Sequence, residues 1–356
     1  ACLAVVFSHL LGIFYPQLHN FAKSNLPQFQ FAEIIHNSPF TFFFSGTGAV
    51  FVFFVLSGYV LTLSSLRAKD KTKKLKESLI KRYPRLAIPV IFSCLLIYVS
   101  LHVDVDVSRT SEWFQSLKIT PVFFNALYEG AIGSFIFGSA KYNPVLWTMQ
   151  IELLGSLVIY FACFFQDKKI IKYIFLFFCI AASAKISALA FLGIISFILG
   201  HFLYLSKVKL NESVSILLLF TGLYLCGAHN TSESYALFTK FLGSHTYNIL
   251  NFIGGFLIVL ATLNSVIIDR LLDKKPLVHL GKLSFSIYLI HIPIIYLIGI
   301  PVFNFALDSN ISFVLSSLLS ICVVLFSTII FSEVYSRIFD DASIKISNRL
   351  SKLLIK

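Results

Sequence analysis

Long apolar runs alternate along the chain with short connections rich in lysine and arginine. The pattern is plainest between residues 51 and 90. There the run FVFFVLSGYVLTLSSL meets the basic loop RAKDKTKKLKESLIKRYPR, and a second apolar run opens at Leu86. A bilayer crossing takes about 20 apolar residues. Ten segments answer to that description, over residues 1–15, 41–66, 86–103, 144–166, 170–185, 186–206, 213–229, 248–268, 283–303 and 311–333. The boundary between the fifth and the sixth rests on little more than residues 183–187. The pattern predicts an all-α, polytopic integral membrane protein of about ten transmembrane helices, forming a single domain over residues 1–356.

Composition supports the bilayer. Hydrophobic residues make up 57% of the chain and charged residues 13%, against about 25% charged in soluble domains. The net charge of +12 raises nucleic acid as a partner. The basic residues lie between apolar spans, however, where the positive-inside rule accounts for them, so no nucleic acid is expected. With the first span running outward, segments 67–85, 167–172, 207–212, 269–282 and 334–356 hold 23 of the 29 lysines and arginines. The opposite segments hold Lys23, Arg109, Lys118, Lys141, Lys185 and Lys240. This bias predicts an inner (plasma) membrane protein with both termini cytoplasmic. Residues 104–143, on the outer side, are too apolar for a solvated loop and predict a re-entrant or interfacial segment. The six cysteines lie inside apolar runs without CxxC spacing and read as small core residues. The sole methionine is Met149, so a natural start upstream of Ala1 is expected.

Candidate chemistry comes from groups that a bilayer should reject. A carboxylate at a helix centre costs about 2.5–3.5 kcal/mol, and ionisable residues there mark functional sites. Glu152 is the acidic residue well inside a span, in NPVLWTMQIELLGS, with Thr148 a turn earlier and Trp147 and Gln150 close by. It requires a cation, an imidazolium or its own proton as partner. His9 is mid-span in LAVVFSHLLG. His291 follows Ser284 and Tyr288 at spacings that put all three on one helical face. Either histidine alone reads more readily as a satisfied packing residue than as a catalyst; the two with the glutamate and the Arg-x-x-Arg pair point to a site. No pair of metal ligands falls at i, i+4 and the thiols are scattered, so no metal is expected. Glu333 closes the tenth span.

A buried histidine can act as a general base, with a carboxylate to orient it, and a natural task is to deprotonate a hydroxyl attacking an acyl group. No GxSxG elbow is present to support a hydrolase-type nucleophile. Arg82 and Arg85, three apart at the start of the third span, suit a phosphate-bearing donor. Pro84 between them is expected in that helix's first turn. The lysine run 67–81 also reads as a plain topology signal or a lipid-headgroup patch. The alternative function is a proton-coupled transporter with Glu152 and the histidines as relay. That fold would show paired halves with interrupted helices, and no such symmetry is visible.

Four blocks, in order, resemble the membrane-bound acyltransferase 3 family, which includes O-acetyltransferases of bacterial surface sugars. They are VVFSH around His9, the GxGxxxxFFxLSGY block over residues 46–59, RYPR over residues 82–85, and LWTMQIE with SFSIYLIH further on. The resemblance covers nearly the whole chain. It implies acetyl-CoA as donor and a carbohydrate hydroxyl of a surface glycan, or its lipid-linked precursor, as acceptor. It further implies His9 as the base, Arg82 and Arg85 in donor handling, and Ser57-Gly58 as a small notch beside the donor's thin arm. Trp147 and Glu152 match a W-S-x-x-x-E block, Tyr288 and His291 a Y-L-x-H block, and Glu333 a late glutamate. Thr148 stands where that family usually has serine and Phe285 where tyrosine is common. The proline usual near the late glutamate is missing after Glu333.

Overall fold

The computed structural model describes residues 1–19 and 26–355; Lys23 and Lys356 of the charge pattern lie outside the described residues. Among the described residues the elements are helices and turns, with no strand. Each apolar segment falls on a helix. These are α1 (Cys2–Phe14), α2 (Gly46–Leu66), α3 (Lys71–Ser100), α4 (Trp147–Phe164), α5 (Lys169–Ile186), α6 (Ala188–Ser206), α7 (Glu212–Cys226), α8 (Thr246–Asn264), α9 (Lys275–Ile294) and α10 (Phe313–Tyr335), followed by α11 (Asp341–Leu354). By length and composition, seven stretches among the described residues can cross a bilayer: α2, α3, α4, α6 and the longer continuous stretches Glu233–Asn264, Lys275–Asp308 and Phe313–Leu354. Helices α1 and α7 are apolar but shorter. Helix α5 carries Lys169, Lys172 and Lys185.

Local chemistry sets the helix ends. Ser45 Oγ accepts the Gly48 N–H at 3.1 Å and starts α2, satisfying one of the orphan donors of a first turn. Ser187, in extended conformation, caps α6 through the Ala190 N–H at 3.0 Å and so fixes the boundary between the fifth and sixth segments. Asp70 caps α3 through the Lys73 N–H at 2.9 Å. Helix α3 therefore begins at Lys71, fifteen residues before the apolar run at Leu86. The supposed basic loop is mostly helix, built from good helix formers, and Pro84 lies in the interior of α3 rather than in its first turn. Glu333 does not end a helix either. Helix α10 passes it and runs through a π-helical turn (Ser336–Asp340) into α11. In α9, Pro293 has no N–H to give Leu289 O. The Asn143 Nδ2–H donates to that carbonyl instead, at 2.9 Å.

The segment 104–143 lies partly along α3. A helix (Phe123–Tyr128) and a π turn (Glu129–Gly133) start beside Tyr98, whose ring is 5.7 Å from Phe123. They reach Tyr83, whose hydroxyl donates to Ala131 O at 2.5 Å. Tyr142 closes the loop by donating to Val122 O at 2.7 Å and accepting from Val122 N–H at 2.8 Å.

The main core joins α1, α2, α3, α4 and α9 through residues such as Leu10, Phe51, Val90, Met149 and Ile287. Outward stand Phe177, Phe178, Phe220, Phe305 and Phe326, all largely exposed. A surface of that kind calls for lipid or a partner. Cys2, Cys94, Cys163 and Cys226 are buried, whereas Cys322 faces outward on α10, contrary to its reading as a core residue; all six thiols are free.

Helices α2 and α6 touch backbone to backbone. A Cβ on Gly58 would lie 2.1 Å from Phe197 O, and one on Gly200 2.0 Å from Val55 O. Close glycine crossings of this kind let membrane helices pack without a hydrophobic driving force. Gly58→Val and Gly200→Val are each expected to lower stability by about 1–3 kcal/mol in detergent. Gly281→Val, with nothing within 4 Å of a new Cβ, serves as control. Melting curves for the first two that overlay the wild type would rule out the close crossing.

Candidate active site

A cavity of about 490 Å³ opens between α2, α3, α4 and α9. Its walls are apolar, from Val50, Phe53, Phe54, Leu61 and Met149. Into it project Ser57, Arg82, Arg85, Thr148, Glu152, Ser284 and Tyr288, which come from four helices and from both halves of the chain. Arg85 and Lys282 are exposed and mark the mouth; Thr148 and Tyr288 are buried and form the inner wall. Thr148 Oγ1 and Tyr288 Oη are hydrogen-bonded at 2.8 Å, and Tyr288 also donates to Val145 O at 2.7 Å.

Glu152 is answered by Arg82. The guanidinium Nη2–H donates to Glu152 Oε1 at 2.5 Å, and Ser57 Oγ–H donates to the same oxygen at 3.0 Å. Both charged side chains are more than four-fifths buried, at 12% and 16% exposure. A charge so placed is stable only while paired. The carboxylate thus holds the arginine, and neither histidine is its hydrogen-bond partner.

The histidines hold each other. His9 Nδ1 and His291 Nε2 are 2.8 Å apart, and His291 Nδ1 is 3.0 Å from Ile287 O. A carbonyl only accepts, so His291 carries its proton on Nδ1, and in the neutral ring Nε2 holds a lone pair. That lone pair receives the N–H of His9 Nδ1, and neutral His9 is left with its own lone pair on Nε2. Trp113 stacks on His9 with centroids 5.4 Å apart and planes 8° apart. An indole face in that position stabilises an imidazolium. Tyr288, one turn from His291 with ring centroids at 6.4 Å, links the pair to the inner wall of the cavity.

The other predicted residues lie elsewhere. Gly58 faces Phe197 O, away from the cavity. Trp147 packs against the main core. Gln150 donates to Ile136 O at 2.5 Å, tying α4 to the segment before it. Glu333 pairs with Arg337 at 2.6 Å and His279 at 3.1 Å, outside the cavity lining. Among the aromatic residues of segment 104–143, Tyr142 is buried and bonded to Val122, Tyr128 is exposed, and Trp113 covers His9. Sequence reasoning passed over Lys282 and Asp340, which both line the cavity. It also missed Glu129, a buried carboxylate accepting from Ser139 at 2.9 Å. Lys282 lies in the polar first part of α9 and Asp340 in the turn after α10, where charge is ordinary and no local signal sets them apart. Among the described residues no three histidine, cysteine or acidic side chains are grouped to hold a metal ion.

Removing one member of the Arg82–Glu152 pair leaves a buried charge alone, at a cost of about 3–5 kcal/mol. Arg82→Leu is therefore expected to destabilise the protein strongly in thermal unfolding. The double variant Arg82→Leu, Glu152→Leu is expected to regain part of that loss. A double variant as unstable as the sum of the two singles would show that the charges are not coupled.

Residues 1–335 match the acyltransferase 3 family, described as an acyltransferase domain. No curated protein and no solved structure matches the chain. The match spans α1 through α10 and every residue of the cavity lining except Asp340. With its all-helical fold and its membrane-length helices, the chain belongs to the acyltransferase 3 family and is a membrane acyltransferase.

Proposed function

We propose that the protein moves an acetyl group from acetyl-CoA to a hydroxyl of a cell-surface glycan or of its lipid-linked precursor, with His9 as general base. The carrying observation is the hydrogen-bond chain from Ile287 O through His291 to His9, which leaves the His9 Nε2 lone pair free for a proton. In this reading both termini face the cytoplasm of the inner (plasma) membrane. The basic segments then lie on the side where acetyl-CoA is made, and the charge bias along the chain supports that orientation.

The donor enters the cavity with its anionic end at the mouth and its thioester directed inward. The acceptor hydroxyl gives its proton to His9 Nε2 while its oxygen bonds to the acetyl carbonyl carbon. The carbon–sulfur bond then breaks, and the departing thiolate takes the proton back from His9 to leave as free coenzyme A. The charge on His9 during transfer is met by the Trp113 face and by a short bond to a neutral imidazole that Ile287 keeps in register. Acid–base catalysis by a placed histidine contributes about 10²–10⁴-fold.

The test is acetyl-CoA-dependent acetylation of glycan acceptors in membranes that contain the protein. His9→Ala is expected to lower the rate at least about a hundredfold. His291→Ala should lower it by a smaller factor, since the base remains but loses its orientation. Undiminished transfer by His9→Ala would refute the role given to the base.

A further inference from the structure

The cavity mouth holds more cations than the RYPR block supplies, and they are not equivalent. Arg82 is committed to Glu152 at 2.5 Å and is largely buried. Its charge is already neutralised, so it has little left to attract a phosphate. Arg85 and Lys282 also line the cavity, are exposed, and form no ion pair within 4 Å among the described residues. They come from α3 and α9, two helices that pack together. A third charge lines the same mouth with the opposite sign. Asp340 ends the π turn after α10 and lies within electrostatic reach of Arg85. Tyr335 and Phe339 fix that turn to α3: the Tyr335 hydroxyl donates to Pro89 O at 2.5 Å, and Phe339 stacks on Phe92 at 4.1 Å. The turn that carries the carboxylate is therefore held against α3. It also lies past residue 335, where the family match ends.

We infer that Lys282 together with Arg85 binds the phosphates of the acyl donor, and that Asp340 opposes the same ligand as a fixed counter-charge at the mouth. This inference rests on the donor reading above. A diphosphate needs two cations free to meet it. Arg85 offers a planar fork and Lys282 a compact point charge. Asp340 partly offsets the charge of Arg85. An incoming phosphate must replace that interaction, so removing the carboxylate should tighten binding.

The experiment is titration of the purified full chain in detergent with coenzyme A, at low and high salt. Hydrogen bonds to charged groups justify an expected weakening of about tenfold or more for Lys282→Ala. Arg85→Ala should weaken binding comparably. In both variants the salt dependence of Kd should flatten, because fewer charges are left to screen. Lys282→Arg should restore binding, and Asp340→Asn should lower Kd and steepen its salt dependence, because the net positive charge facing the phosphates rises. Lys282→Ala with wild-type affinity, or with weaker affinity and an unchanged salt dependence, overturns the inference while Arg85-dependent binding keeps the donor reading intact. A wild-type chain that binds no coenzyme A overturns the donor reading and this inference with it.

Discussion

The hydrogen bond between two imidazoles, 2.8 Å from His9 Nδ1 to His291 Nε2, is the contact on which the site depends. His291 is fully buried and needs partners for both ring nitrogens, while His9 is half-buried and needs one for Nδ1. Each solves the problem for the other, and the Ile287 carbonyl sets the direction of the chain by accepting at its far end. The geometry requires α1 and α9 to approach closely, and the buried Leu10, Ile13, Ile287 and Ile290 of the main core hold them together. A polar bond thus selects tautomers, and apolar packing keeps the bond.

The charged groups are sorted by depth. Arg82 and Glu152 neutralise each other inside the cavity and cross-brace α3 to α4. Arg85 and Lys282, which form no ion pair within 4 Å among the described residues, stand at the exposed rim. Inward from the rim the cavity wall is mostly apolar, with the Thr148–Tyr288 hydroxyl pair at its inner side; His9 and His291 stand behind that pair, outside the lining. An anionic head with a thin apolar arm fits such a gradient. Deep binding of a highly charged molecule would not, because its desolvation would go unanswered.

Hydropathy made the helical segments legible, since each apolar run needs internal hydrogen bonding in lipid. It misjudged where helices end. The Lys71–Lys81 part of α3 and the residues after Glu333 are helical although polar, because leaving the bilayer does not break an i→i−4 ladder. Asp70 as a cap is a readable signal for the start of α3, but the apolar run at Leu86 and Pro84 just before it point to a later one. Arg82 and Arg85 were legible as a pair by spacing. Their different duties were not, because Glu152 lies 70 residues away in sequence. The same holds for His9 and His291, separated by 282 residues. Buried histidines can be found one at a time from sequence, whereas a bond between them exists only in the packed bundle.

The account stands on His9 presenting an unprotonated Nε2. Nitrogen NMR of histidine-labelled protein, with the His9 signals assigned from a His9→Gln spectrum, reads that atom directly. The expected result is a neutral ring protonated on Nδ1, with its proton shifted by the bond to His291. A His9 ring protonated on Nε2, with Nδ1 bare, would contradict it.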